Sequence, residues 1–145
     1  MTDQQTQHMT QRQISLPNDI ETIPQLNEFI DIVAEEIGLD MSLTMSLNLA
    51  IEEAVVNVME YAYPQGTKGQ VDILMSSDGQ KLTVVLRDAG TPFDPTQQAE
   101  ADTSLSVEER PIGGLGIHLV RQIMDSISYR YINGHNELTL KKNIL

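Results

Sequence analysis

Glu53 and Asn57 stand four residues apart in a stretch whose apolar residues Leu47, Ile51, Val55, Val58 and Ala62 recur at helical steps. That spacing is about one turn, so the carboxylate and the carboxamide lie roughly 5–6 Å apart on one side of a helix. The small Ala50 and Ala54 leave room beside them for a bulky group. An amide oxygen is a hard ligand suited to Mg²⁺, and a neighbouring carboxylate can orient or deprotonate a hydroxyl or water attacking a γ-phosphate. A solvated Glu–Asn pair on an acidic helix would look the same. Glu52 and Glu60 read as solvated.

Two further segments carry complementary chemistry. Asp88-Ala89-Gly90 closes a strand and leads into Thr91-Pro92-Phe93-Asp94. A carboxylate there can accept a hydrogen bond from an exocyclic amine, adenine's among them, while a flat ring lies over the permissive glycine. An Asp-initiated turn is the structural alternative. From Ile112 to Asp125, glycines at 113, 114 and 116 precede an apolar pattern of helical period, Ile117, Val120, Ile123 and Met124. Backbone N–H groups free of side chains can approach an anion, and the helix behind them adds its positive end. A phosphate fits that description; so does an ordinary turn before a helix.

The elements that must position these groups follow from periodicity and punctuation. Residues 11 to 17 alternate as a strand. Ile20 to Gly38 forms an amphipathic helix with Pro24 in its first turn, and Ser42 to Tyr63 a longer one closed by Pro64. Gln70 to Ser76 and Lys81 to Arg87 pair across an Asp78-Gly79 turn. Ser128 to Ile132 and Glu137 to Lys142 pair across Asn133-Gly134. Ile117 to Asp125 is a third helix. The order β, α, α, β, β, loop, α, β, β, with consecutive hairpins, predicts an α+β fold with helices on one face of a mixed sheet. A dinucleotide-binding fold would place its glycine turn after an early strand. Residues 1–10 are expected as a disordered polar tail, 11–145 as one domain, and 91–111, with three prolines and no clean period, as a functional loop.

At 145 residues the chain suits one domain with a real core. It has no cysteine, which excludes disulfides, thiolate metal sites and thiol nucleophiles. No apolar run reaches the roughly 20 residues that span a bilayer, and the Gln-rich N-terminus lacks a signal peptide's features, so a cytoplasmic location is expected. The net charge of -12 opposes nucleic-acid or anionic-membrane binding and favours a basic protein partner. His8, His118 and His135 suggest no catalytic cluster, and Met41, Met45, Met59 and Met124 read as gap-filling core.

In this order the three segments resemble the GHKL ATPase superfamily (Bergerat fold), and within it the bacterial anti-sigma-factor serine/threonine kinases, over about residues 12 to 143. Glu53-Ala-Val-Val-Asn57 is similar to the family's N-box, Asp88-Ala-Gly90 to its adenine-reading box and Gly113-Gly114-Leu115-Gly116-Ile117 to its phosphate-wrapping box. The resemblance implies a two-layer sandwich with a mostly antiparallel sheet and ATP with Mg²⁺ as cofactors. It implies Glu53 as general base, Asn57 as Mg²⁺ ligand, Asp88 and Gly90 at adenine, Gly113 to Ile117 at the phosphates and residues 91–111 as a lid. Thr139 looks like a late-strand threonine near the adenine end, and Arg110 is the nearest candidate for a phosphate-facing cation. The second glycine of the usual D-x-G-x-G is replaced by Pro92, and Tyr61 stands where relatives carry a basic or His residue. The implied function is an anti-sigma factor that phosphorylates an anti-anti-sigma protein, with a sigma factor as its other partner, as a homodimer. The alternative is a nucleotide-gated binding switch without transfer.

Overall fold

The computed structural model describes residues 9–97 and 114–145. In chain order the elements are β1 (Thr10–Pro17), a 3-10 turn (Ile20–Thr22), α1 (Ile23–Ile37), α2 (Met41–Tyr61), β2 (Gln70–Ser77), β3 (Lys81–Asp88), a second 3-10 turn (Pro95–Gln97), α3 (Gly114–Ile123), β4 (Ser126–Ile132) and β5 (His135–Asn143). Local chemistry sets most boundaries. The Asp40 carboxylate caps α2 by accepting the Leu43 N–H at 2.7 Å, and Gly38 ends α1. In the last hairpin Asn133 and Gly134 both take positive φ, 55° and 78°, the turn geometry that Asn-Gly allows at least cost.

The five strands lie in the order β1-β2-β3-β5-β4, and every pairing is antiparallel, narrower than the mixed sheet expected. Alternation sends one face to the core. Ile14, Ile73, Leu86, Leu138 and Tyr129 form one cross-strand row on that face, and Leu16, Val71, Asp88, Asn136 and Tyr131 form another. The helices cover this side, α1 and α3 packing against α2, with Leu26, Ile30, Leu47, Ile51, Ile117 and Val120 fully buried. The second row places two buried polar residues, Asp88 and Asn136, side by side where β3 ends and β5 begins, between buried Val71 and exposed Tyr131. The site is built around that pair.

Several expectations change in detail. α3 starts at Gly114 and not Ile117, because the glycines form its first turn before the apolar period begins. Met59 and Met124 are core, but Met41 and Met45 are exposed on α2. Glu52 is not simply solvated: it is partly buried and accepts the Asn27 amide at 3.1 Å between α1 and α2. Among the described residues no helix is long and apolar enough to cross a membrane. Of the expected tail over residues 1–10, residues 1–8 lie outside the described residues, as does most of the expected lid, while Thr10 already pairs as the first residue of β1.

Candidate functional site

α2 presents Glu53 half-buried and Asn57 at 3% exposure on the same side, one turn apart. Burial raises the Glu53 carboxyl above the usual glutamate range, and the adjacent charge of Glu52 adds to it. A carboxylate raised in this way is a stronger base, which suits proton abstraction near neutral pH.

The end of β3 is tied directly to the end of this helix. The Ala62 carbonyl accepts both the Thr91 N–H at 2.7 Å and the Thr91 hydroxyl at 3.1 Å. A Cβ on Gly90 would come within 2.3 Å of that same oxygen, so the glycine is required by close backbone approach. Tyr63, buried just past α2, donates its hydroxyl to the Gln70 carbonyl at 2.8 Å and accepts the Ala89 N–H at 3.1 Å. The Asp88-Ala89-Gly90 turn is thereby docked five residues beyond Asn57. The Phe93 ring stacks on Tyr61, centroids 5.4 Å apart, which adds an aromatic wall between the loop and the helix.

Asp88 is 3% exposed, and its Oδ1 accepts from the Gly90 N–H at 2.8 Å and the Asn136 amide at 2.9 Å. Burial pushes its carboxyl up, and those two donors partly offset the push by favouring the charged form. With Oδ1 committed to the protein, Oδ2 retains acceptor capacity for an exocyclic amine. An acceptor so placed fits adenine's exocyclic amine.

Asn136 was not foreseen from the sequence. It is 4% exposed and uses its whole carboxamide. The amide nitrogen donates to Asp88 and, at 2.8 Å, to the Thr91 carbonyl; the amide oxygen accepts the Phe93 N–H at 2.9 Å and the Tyr129 hydroxyl. It thus joins the acid, the loop that leaves it and two strands. Thr139, expected near adenine, lies opposite Val85 on the outer face of the sheet, away from Asp88. Parity held the signal: Asn136 shares its side with Leu138 and Leu140, and Thr139 does not.

α3, which begins with Gly114, Leu115 and Gly116 and buries Ile117, packs against α2, so its N-terminal turn belongs to the same helical layer as Asn57. Arg110 and Gly113 lie outside the described residues. A cavity of about 800 Å³ beside the turn includes Asp88, Gly90, Tyr63, Lys68 and His135 but neither Glu53 nor Asn57, so it reaches only the aspartate end of the constellation. Among the described residues no group of three or more His, Asp or Glu side chains could hold a metal. A Mg²⁺ at Asn57 would complete its shell with phosphate oxygens and water, as that ion commonly does. His118 approaches Gln122 at 3.2 Å, while His135 approaches Arg87 at 3.4 Å and lines the cavity at the Asp88 end.

Comparison with known proteins places this geometry. The chain is similar to the serine/threonine-protein kinase BtrW of Bordetella bronchiseptica, 29% identical over 98 residues, covering 68% of this chain and 69% of that protein. It is similar to the serine-protein kinase RsbW of Bacillus velezensis, 25% identical over 126 residues (84% and 79% covered), and of Bacillus subtilis, 26% identical over 129 residues (81% and 79%). The crystal structure of the RsbU and RsbW domains of a Mycobacterium tuberculosis protein superposes with a TM-score of 0.63 at 18% identity, over 93% of this chain and 32% of that one, a likeness of fold. The family model for the histidine kinase-like ATPase domain matches residues 16–142. By that match, and with the helix–turn–sheet geometry it accompanies, the chain belongs to the histidine kinase-like ATPase domain family.

Proposed function

We propose that this protein is an ATP- and Mg²⁺-dependent serine kinase, acting in the cytoplasm as a homodimeric anti-sigma factor whose phosphoacceptor is an anti-anti-sigma protein. The observation that carries the reading is the docking of a buried, amine-competent Asp88 onto the end of the helix that bears Glu53 and Asn57. The relatives named serine kinases support it.

Bound ATP with Mg²⁺ supplies the γ-phosphoryl group. Asp88 accepts the adenine amine through the oxygen that Asn136 leaves available, and Gly90, by letting its turn close on Ala62, holds that acid against the end of α2. The Asn57 amide oxygen is the protein's ligand for Mg²⁺, and Glu53 takes the proton of the acceptor serine as its oxygen attacks. The N–H groups of Gly114 and Gly116, at the positive start of α3, hold phosphate oxygens, with Gly113, Leu115 and Ile117 shaping that turn and Arg110 adding a cation. Residues 91–111 act as the lid. Glu53→Ala is expected to bind ATP as the wild type does and to lose transfer to a cognate acceptor by about 10²-fold or more. Labelled-ATP transfer reads this, and undiminished labelling by the variant refutes the assignment. A wild type that binds ATP but labels no partner is the binding switch instead.

A further inference from the structure

The outward side of α2 is apolar where a surface helix ordinarily presents polar residues. Met41, Met45 and Leu49, at four-residue steps, are 78%, 63% and 53% exposed, and the next step along the same line is Glu53. At 1.5 Å per residue this line runs about 18 Å and ends at the proposed base. Asp31 of α1 flanks it, held by the Asn48 amide at 2.9 Å, exposed Asp40 precedes it, and exposed Glu60 stands about two turns beyond its end.

The stretch of chain that builds this face carries charge of one sign. Between residues 13 and 67 the sequence contains ten Asp or Glu and no Lys or Arg, so all nine cations of the chain lie elsewhere. Long apolar side chains ringed by carboxylates complement an amphipathic segment with an apolar stripe and a Lys/Arg border. Methionine thioethers adapt to differently shaped stripes, which suits a surface that must exchange one partner for another. A second copy of this chain is a poor occupant, since two-fold pairing through this face would set acidic surface against acidic surface.

We propose that the Met41–Met45–Leu49 line is the docking track for the phosphoacceptor protein, engaged through a basic amphipathic helix that brings its serine to Glu53. This inference rests on the kinase reading for its direction along α2, but the binding it requires can be measured alone. The probe is a labelled synthetic helix of about 18 residues, five turns, with Leu on one face and Lys on the others. A twin with Glu for Lys, and another with Ser for Leu, are compared with it by fluorescence anisotropy at two salt concentrations.

The Lys/Leu peptide is expected to bind the wild type, both twins to bind at least tenfold more weakly, and added salt to weaken binding. Met45→Ser/Leu49→Ser is expected to lose at least tenfold in peptide affinity and to raise KM for a protein acceptor, with ATP affinity and circular dichroism unchanged. A Glu/Leu peptide that binds as tightly, or a double variant within twofold of wild type, overturns the proposal. So does sedimentation showing that the double variant turns a dimer into a monomer, because the face is then a self-interface. Transfer with unaltered KM in the double variant sinks the docking track and leaves the kinase standing. Peptide discrimination with no transfer to any acceptor sinks the kinase and leaves a partner-binding face.

Discussion

Replacing Asn136 with alanine removes one side chain and disconnects four groups at once. The Asp88 carboxylate loses a donor at 2.9 Å, the Thr91 carbonyl a donor at 2.8 Å, and the Phe93 N–H and Tyr129 hydroxyl their common acceptor. A hydrogen bond to a charged group contributes about 1.5–3 kcal/mol and a neutral one about 1 kcal/mol. Allowing the exposed side of the loop to recover water, the loss sums to about 3–5 kcal/mol, against a domain stability of about 5–15 kcal/mol. The variant is therefore expected to fold, with Tm lowered by about 10–15 °C at this chain length. The loss also reaches the site. Without its side-chain donor the Asp88 carboxyl rises further above its ordinary range, and the start of the 91–93 segment is released from the sheet, so ATP affinity should fall by about tenfold or more, 1.4 kcal/mol. Denaturant melts give the first number and calorimetric titration with ATP the second. Asn136→Asp separates geometry from charge: it keeps acceptors for Phe93 and Tyr129 but sets a second carboxylate against Asp88. Its stability should be worse than that of the alanine variant at pH 7 and should recover as pH falls and the pair takes up a proton. Wild-type Tm and ATP affinity in Asn136→Ala would refute this account of the hub.

Three other expectations concern α2 and the turn docked on its end. The Glu53 carboxyl is raised by burial and then by Glu52, so transfer should fall with acidity along a limb centred above the usual glutamate value of about 4.3. Glu52→Gln should move that limb to lower pH, and a pH–rate profile that ignores the substitution would count against Glu53 as the base. Because Glu53 and Asp88 are both raised in the folded state, each favours folding most below its unfolded pKa and loses that contribution as pH rises through the folded value. Gly90→Ala should destabilise the protein by about 2 kcal/mol or more and weaken ATP binding, because its Cβ would meet backbone, the Ala62 carbonyl, at 2.3 Å. A thermal melt matching wild type would show that the turn can move aside.

Much of the architecture was legible in the chain. The apolar steps through α1 and α2, the Asp-Gly and Asn-Gly turns and the strand alternation are local signals, each fixed by a few neighbouring residues, and the elements they predict are those observed to within three residues. The Glu53–Asn57 spacing is equally local, since one helical turn brings the two together whatever surrounds them. Asn136 and Thr139 show where such reading ends. Parity with Leu138 and Leu140 already sets Asn136 on the core face and Thr139 on the other, but that Asn136 stands opposite Asp88 required the register of β5 against β3.

Met41 and Met45 fail for a related reason, since methionine is common both in cores and on binding surfaces, and only the packing of α1 and α3 around α2 leaves that side uncovered. The sequence by itself determined the helices, the hairpins and the identity of the acid–amide pair, all properties of residues near one another along the chain. Tertiary structure alone decided that Asp88 is buried beside Asn136 and docked on Ala62. Those contacts join residues tens of positions apart, and burial, which moves a carboxyl's pKa and makes each hydrogen bond count, exists only once distant segments have excluded water together.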